Sequence, residues 1–164
     1  GMVTYARMKN PAKLIVLDMM DARLEKAKEF GADLVWNPSK VDVVAKIMEL
    51  TDGYGCDIYI EATGHPSSVT QGMNMIRKLG RFVEFSVFGA PTTLDWSVIG
   101  DGKELDVLGS HLSPYCFPFV IEHIHDGTLK TDGMITQTFA LEDWEKAFDY
   151  ATGKYGHFKI AFVF

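Results

Sequence analysis

Cysteine is scarce in this sequence of 164 residues, which has only Cys56 and Cys116 and no Cys-x-x-Cys pair. Such usage excludes a disulfide framework and is typical of a protein from a reducing compartment. No apolar run approaches the roughly 20 residues needed to span a bilayer, and no signal peptide opens the chain. We therefore expect a cytoplasmic protein that contacts no membrane.

Positive charge is also in short supply. Lys and Arg number 16 against 22 Asp and Glu, which gives a net charge of −6. A nucleic-acid-binding surface needs a basic face, so nucleic acid is excluded as a partner. Repeats and low-complexity tracts are absent, and a content of 47% hydrophobic and 23% charged residues indicates an ordinary folded protein. The length suits one domain with room for an appendage.

An apolar strand that ends in an acid organises the first part of the chain. Residues 14–18 predict a buried strand, with Asp18 at its carboxyl end. The spacing over residues 21–30 predicts an amphipathic helix with Asp21 as its N-cap and Gly31 as its stop. A second strand follows at residues 34–36. We expect the inward face of the helix to carry Leu24, Ala27 and Phe30.

The same alternation continues through the middle of the chain. Ser39-x-x-Asp42 is a variant capping box that predicts a helix start, and Pro66 suits the first turn of the next helix. The first of these helices should carry Val41, Val44, Ile47 and Met48 on one face, and a strand at 56–61 should follow it. The second helix should run from Pro66 to Gly80 with Val69, Met73 and Ile76 inward. A strand at 81–87 comes next.

After residue 100 the elements change character. Residues 105–109 predict a further strand and residues 118–125 a helix. Beyond Thr131 we expect a strand at 134–139, a helix at 142–150 with Trp144, Ala147 and Phe148 inward, and a strand at 159–164. Strands alternating with helices over short connections predict an α/β fold, a Rossmann-like doubly wound parallel sheet. The final strand–helix–strand forms a C-terminal appendage.

A glycine-rich phosphate loop is missing from this pattern. A dinucleotide fold normally begins with a strand, a Gly-x-Gly-x-x-Gly turn and a helix. Here residues 2–8 have only the character of a helix tail, which Asn10-Pro11 stops. Gly1 fits either a cloning remnant or a start within a longer protein. We expect a sheet that lacks its first strand, whose place would be central, between strands 14–18 and 56–61.

Three runs carry a family resemblance: Lys13-Leu-Ile-Val-Leu-Asp18 to Gly31-Ala-Asp33, Gly55-Cys-Asp-Ile-Tyr-Ile-Glu-Ala-Thr-Gly64 and Leu79-Gly-Arg-Phe-Val-Glu-Phe-Ser86. They resemble the cofactor domain of medium-chain, zinc-dependent alcohol and polyol dehydrogenases, with the sorbitol, threitol and erythritol branch nearest. The ending, from Ile135 to Phe148 and from Lys159 onward, is similar too.

The resemblance implies hydride transfer between an alcohol carbon of a small polyol and NAD(P), with a zinc ion polarising the alcohol oxygen. In the family the zinc ligands lie in an N-terminal domain that this sequence lacks. The resemblance makes residues 1–130 a truncated NAD-binding domain and residues 131–164 a segment that returns to the catalytic domain. We expect the chain alone to be inactive and to bind NAD weakly or not at all.

Asp18 is the first candidate cofactor residue. An acid at such a strand end binds the ribose hydroxyls and favours NAD, because it repels the additional 2′-phosphate of NADP. The alternative is a surface acid that caps the next turn. By resemblance, Arg23 lies over the adenine edge; alternatively it is a solvated helix residue.

The other candidates follow two later strands. Thr63 and Gly64 come after strand 56–61, where ligands bind in this fold, although glycine also serves the turn itself. Ser86, Val87 and Phe88 match the nicotinamide-side segment of the family. Buried strand packing is the alternative, above all for Val87.

No catalytic or metal-binding residue is predicted. His111 stands alone, and His123 and His125 point apart at i, i+2 on a helix. Both cysteines are expected to be small core residues. Glu61 and Glu84 lie in strands, where they pair with Arg or with backbone donors, and nothing makes them an acid–base pair.

Two other functions stay open: a stand-alone binding or assembly module, and a different α/β enzyme that acts on nucleotide sugars or transfers methyl groups. Unpaired strand edges invite pairing with another chain, and the family dimerises near residues 105–112. We therefore expect a homo-oligomer.

Overall fold

The computed structural model describes residues 1–111, 115–152 and 158–164. Every strand pair in this part of the chain is parallel, in sheets ordered β1-β2, β3-β4-β5 and β6-β7. The α-helices and strands are α1 (Met2–Met8), β1 (Ile15–Leu17), α2 (Asp21–Glu29), β2 (Leu34–Trp36), α3 (Val43–Leu50), β3 (Cys56–Glu61), α4 (Pro66–Met75), β4 (Ile76–Glu84), β5 (Asp106–Gly109), α5 (Phe117–His125), β6 (Ile135–Ala140), α6 (Trp144–Thr152) and β7 (Lys159–Val163).

The predicted alternation of helices and parallel strands is therefore confirmed. The chain divides into two compact units, one of residues 1–40 with 118–164 and one of residues 41–117. No helix in the described ranges has the length and apolar character that crossing a membrane requires. Residue 112, at the end of the segment expected to support dimers, lies outside the described residues.

In the first unit, a single carboxylate joins α1 to the start of the β1–β2 sheet. Asp33, in the turn before β2, accepts hydrogen bonds from the Arg7 side chain at 2.5 Å and from the Leu14 N–H at 2.6 Å. These bonds hold the pKa of Asp33 below its usual value, the Leu14 N–H being the main cause. Leu24 and Ala27 of α2 are buried, as predicted.

The C-terminal sheet of the same unit packs against α6 through a small side chain. Ala147 is buried, whereas Trp144 and Phe148 are more than half exposed, so the prediction that both rings point inward is wrong. The two rings lie edge to face, 6.3 Å apart. Two strands offer only a narrow apolar face, which Ala147 covers together with the Tyr150 ring, 5.8 Å from the Phe139 ring of β6.

In the second unit, α4 packs on the sheet around a core of Met73, Ile76 and Phe82. The Tyr59 ring of β3 lies 5.4 Å from the Phe82 ring. The Lys103 ammonium donates to the carbonyls of Met73 and Ile76 at 2.5 and 2.6 Å. A cation at the end of a helix satisfies carbonyls that have no partner within the helix.

The boundary between α4 and β4 differs from the prediction. The helix ends at Met75 instead of Gly80, and β4 covers residues 76–84 instead of 81–87. Ile76 is fully buried, as expected, but its backbone is extended and pairs with Cys56. Leu79 then adopts a φ of +56°. The helical spacing of Ile76 cannot distinguish a last helical turn from the first residue of a buried strand.

Two predicted helix starts are also wrong. Asp21 is the first residue of α2, whose N-cap is Met20; the Asp21 carboxylate binds Asn37 and Lys40 instead. Helix α3 begins at Val43, with Asp42 as its N-cap accepting from the Ala45 N–H at 3.0 Å. With this start, the most buried positions of α3 are Val43 and Ile47, while Val41, Val44 and Met48 are half-buried.

The contact between α4 and β3 gives a stability prediction. A Cβ on Gly72 would lie 2.4 Å from the Tyr59 ring, so Gly72→Ala should overpack this contact. Overpacking at a rigid ring costs up to about 3 kcal/mol, and the better helix propensity of alanine returns about 1 kcal/mol. We expect the free energy of unfolding, measured in urea, to fall by about 2 kcal/mol.

Asn74→Ala, at an exposed position of the same helix, is the control and should be neutral or slightly stabilising. A Gly72→Ala protein as stable as this control would contradict the close packing.

Candidate functional site

The carboxyl end of β1 carries Asp18, which turns back onto its own loop. Its Oδ1 accepts from the Met20 N–H at 2.8 Å. Its Oδ2 lies 3.8 Å from a guanidinium nitrogen of Arg23, and the Asp18 side chain is 27% exposed. Asp18 therefore fits both interpretations. Its Oδ1 caps the turn, and its Oδ2, which faces the half-exposed Arg23, remains a partly open acceptor.

A buried amide supports this loop from the end of β2. Asn37 is 7% exposed, and its Nδ2 donates to the Met19 carbonyl and to Asp21 Oδ1, both at 2.9 Å. Its Oδ1 accepts from the Ser39 N–H at 3.0 Å and from the Ser39 hydroxyl at 2.7 Å. All four hydrogen-bonding positions of the amide are therefore occupied.

Asp21 is held between this amide and a lysine. Lys40 forms an ion pair with its Oδ2. The hydrogen bonds from Lys40 and Asn37 hold the pKa of Asp21 below its usual value. We use the name Asp18 cluster for the five residues Asp18, Asp21, Arg23, Asn37 and Lys40.

In the second unit, a fully buried carboxylate shapes the turn after β3. Glu61 has no exposed surface. Its Oε1 accepts from the Thr63 N–H at 2.8 Å and from the Thr63 hydroxyl at 2.6 Å, and its Oε2 accepts from the Gly64 N–H at 3.2 Å. Burial acts most strongly on the pKa of Glu61 and would raise it, but hydrogen bonds, first those from Thr63, outweigh burial and leave the pKa lowered.

The turn after β3 touches the segment that follows β4. Gly64 has a φ of +69°, and a Cβ there would lie 2.5 Å from the Val87 carbonyl oxygen, so both the backbone and the space require glycine. The Ser86 hydroxyl donates to the Glu61 carbonyl at 3.4 Å. The structure thus brings together Thr63, Gly64, Ser86 and Val87, which we call the Gly64 cluster.

The position of Val87 excludes the alternative that this residue is packed in a buried strand. Its side chain is 96% exposed, and β4 has already ended at Glu84, so buried strand packing is wrong for Val87. Phe88 follows it and is half-buried.

The remaining candidates do not form a further site. Burial raises the pKa of Cys56 to about 11, which fits its core interpretation, whereas Cys116 is exposed and its core interpretation is wrong. His111 is exposed, and His123 lies 3.4 Å from Asp126. Within the described ranges no group of three or more His, Cys, Asp and Glu residues could hold a metal ion. The residues that the structure describes therefore do not fit a zinc centre.

Two residues that shape these clusters were missed or set aside at the level of sequence. Asn37, which directly follows β2, is not among the residues that the sequence predicts for the site. Glu61 was given backbone donors as one option, but no role. The available signal was the same in both cases: a polar side chain at the carboxyl end of an apolar strand, directly before a turn.

Residues 1–126 match the sequence profile of the zinc-binding dehydrogenases. The chain belongs to this family. It is 50% identical over 155 residues to the erythritol/L-threitol dehydrogenase of Mycolicibacterium smegmatis, a match that covers 94% of this chain and 43% of that protein. It is 30% identical over 128 residues to the sorbitol dehydrogenase of Halalkalibacterium halodurans, covering 77% and 37% of the two chains.

The fold agrees with this membership. A short chain alcohol dehydrogenase from Escherichia coli, solved in complex with the cofactor NADH, superposes with a TM-score of 0.87 at 29% identity. The superposition covers 97% of this chain and 47% of that one. The resemblance to alcohol and polyol dehydrogenases is confirmed, and the chain spans less than half the length of each of these three proteins.

Glu61→Gln tests the role of the buried carboxylate. The substitution keeps the shape but places an amide NH₂ opposite a backbone N–H, so we expect the free energy of unfolding to fall by about 1–3 kcal/mol at pH 7. A carboxylate whose pKa is lowered by folding stabilises the protein above its unfolded pKa, here 4.5, and this contribution is lost as the pH falls through the folded pKa.

Urea unfolding from pH 7 to pH 3 should therefore show the difference between Glu61→Gln and the unmodified chain shrinking below pH 4.5. Glu49→Gln, at an exposed position of α3, should differ little from the unmodified chain at any pH. A Glu61→Gln difference that is independent of pH would contradict an ionised Glu61.

Proposed function

We propose that this chain is the NAD-binding portion of an alcohol or polyol dehydrogenase. In the whole enzyme a hydride moves between the carbon of a secondary alcohol and the nicotinamide ring of NAD. The observation that carries the proposal is Asp18: a carboxylate at the end of a parallel strand, with one oxygen fixed by its loop and the other partly open. A strand-end acid of this kind is what an adenosine ribose diol requires.

The residues of the Asp18 cluster would hold the adenosine half of the cofactor. Asp18 accepts hydrogen bonds from the ribose hydroxyls, and its charge opposes a 2′-phosphate, which favours NAD over NADP. Arg23 is half exposed beside it and lies along the adenine edge. NAD supplies the hydride acceptor when it is bound.

The residues of the Gly64 cluster would act on the nicotinamide half. Thr63 and Gly64 present a turn whose backbone is fixed by Glu61, and Ser86, Val87 and Phe88 supply the segment that the family places beside the nicotinamide. The substrate we propose is a small polyol, because the relatives named above act on erythritol, L-threitol and sorbitol. We also propose a cytoplasmic location, which the two cysteines without a disulfide support.

Nucleotide binding by the 164-residue chain tests this proposal. We expect weak NAD binding, detectable by ligand-observed NMR at millimolar concentrations, and weaker binding of NADP. Asp18→Asn removes a charged acceptor, so NAD affinity should fall about tenfold, and the preference for NAD over NADP should shrink.

Asp101→Asn, an exposed acid in the turn before β5, is the matched control and should leave both affinities unchanged. Equal NAD affinities of Asp18→Asn and the unmodified chain would contradict the role of Asp18 and favour the binding or assembly module instead.

We further propose that the chain forms a homo-oligomer through β5. This strand stands at one end of its three-stranded sheet, and all four of its residues are exposed. Its apolar side chains Val107 and Leu108 are 43% and 45% exposed. A short edge strand with apolar side chains and no charge at these two positions is suited to pairing with another strand.

Light scattering tests the oligomer. The chain should have a mass of at least twice 18.3 kDa, and the double substitution Val107→Lys with Leu108→Lys should lower the mass to 18.3 kDa, because lysines on an edge oppose pairing. Val163→Lys, at an exposed position of β7, should leave the mass unchanged. A monomeric unmodified chain would exclude this proposal.

A further inference from the structure

One peptide group connects Asn37 to Asp18. The carbonyl of Met19 accepts from Asn37 Nδ2 at 2.9 Å, and the N–H of Met20 donates to Asp18 Oδ1 at 2.8 Å. This carbonyl and this N–H belong to the same planar peptide unit. Fixing the oxygen of that unit therefore fixes the direction in which its N–H meets the carboxylate.

Asn37 is well placed to fix the Met19–Met20 peptide. The amide is almost fully buried, and its own orientation is set by two bonds from Ser39 to its oxygen and by the Asp21 carboxylate on its nitrogen. A buried group with every hydrogen-bonding position used has no alternative partners to rotate toward. By contrast, Met19 and Met20 are 65% and 42% exposed, so their side chains contribute little to holding the loop.

Capping interactions at the N-terminus of α2 do not explain the position of the Asp18 carboxylate. The N-cap Met20 makes no side-chain capping bond, and the nearest acid, Asp21, is used by Asn37 and Lys40. Asp18 is thus held by one backbone N–H whose own peptide is fixed from the other side by Asn37. Its second oxygen stays toward Arg23, at 3.8 Å.

We propose that Asn37 is a positioning residue for cofactor recognition: it fixes the Met19–Met20 peptide so that Asp18 presents Oδ2 to the ribose diol. This inference rests on the proposed role of Asp18 in NAD binding. Asn37 itself is buried and does not contact the nucleotide. Its loss should therefore weaken recognition of the ribose hydroxyls and leave the rest of the nucleotide affinity almost unchanged.

The decisive experiment compares ADP with 2′-deoxy-ADP, which differ only in the adenosine 2′-hydroxyl. Both are titrated against the 164-residue chain by NMR. Asn37→Asp keeps the shape of the side chain but cannot donate to the Met19 carbonyl, and Asn37→Ala removes the amide without adding charge. Asn74→Asp and Asn74→Ala make the same changes at an exposed position of α4 and serve as matched controls.

We expect the unmodified chain and both Asn74 variants to prefer ADP about tenfold. In both Asn37 variants this preference should fall below about threefold, while the affinity for 2′-deoxy-ADP changes by less than about twofold, since only the hydrogen bond to the 2′-hydroxyl is lost. Amide hydrogen exchange, measured on the same ¹⁵N-labelled samples, should be faster at Met20 in the Asn37 variants only. This second readout needs no ligand.

The possible outcomes distinguish the role of Asn37 from the role of Asp18. An equal loss of affinity for both nucleotides would show a purely structural role and overturn the inference. Retained ADP preference with unchanged Met20 exchange would overturn it while leaving the role of Asp18 intact. An unmodified chain that binds neither nucleotide, or does not distinguish them, would overturn the proposed role of Asp18 itself, and the inference with it.

Discussion

A buried polar side chain must find its hydrogen-bond partners inside the protein. Two such side chains, Asn37 and Glu61, stand at the carboxyl ends of parallel strands, where the regular strand pairing stops and backbone N–H and carbonyl groups lose their partners. Each supplies the missing partners to the turn beside it. The candidate cofactor residues Asp18, Thr63 and Gly64 have defined positions because these buried groups fix the loops that carry them.

The two buried groups supply hydrogen-bond partners to their turns in different ways. Asn37 is neutral and both donates and accepts, so it joins a carbonyl, a carboxylate and a serine without burying charge. Glu61 buries a charge, which is costly unless several donors surround it. Its three donors belong to the two residues that the turn must hold. The cost of burying the charge therefore makes any other shape of this turn unfavourable, and this selects the conformation in which Gly64 touches Val87.

Local patterns were sufficient to predict most of the fold. Apolar runs identified β1, β2 and β3, and the Pro66 signal identified the start of α4, because these features depend on neighbouring residues alone. The end of α4 could not be found in this way, since the burial of Ile76 results from strand pairing with Cys56, a residue 20 positions away. The inward prediction for Trp144 and Phe148 failed for the same reason: the width of the facing sheet is not visible in the helix.

The candidate site was predictable only in part. The positions of Asp18, Thr63 and Gly64 follow from the rule that ligands bind at the carboxyl ends of strands. The supporting residues do not follow from it. Asn37 lies 18 positions from the Met19 carbonyl that it binds, and the contact exists only because β1 and β2 pair in parallel with their carboxyl ends together. A strand pairing, rather than a motif, brings this amide to the loop.

The contrast between the two thiols has a practical consequence. Cys116 is exposed just before α5, whereas Cys56 is half-buried at the start of β3 with a pKa of about 11. At neutral pH an alkylating dye reacts through the thiolate, so Cys116 provides a single attachment point for a fluorophore without any substitution. The rate at which Cys56 is then alkylated would report the opening of the sheet in which it lies. One chain can therefore carry a fluorophore at Cys116 and a thiol probe of its own unfolding at Cys56.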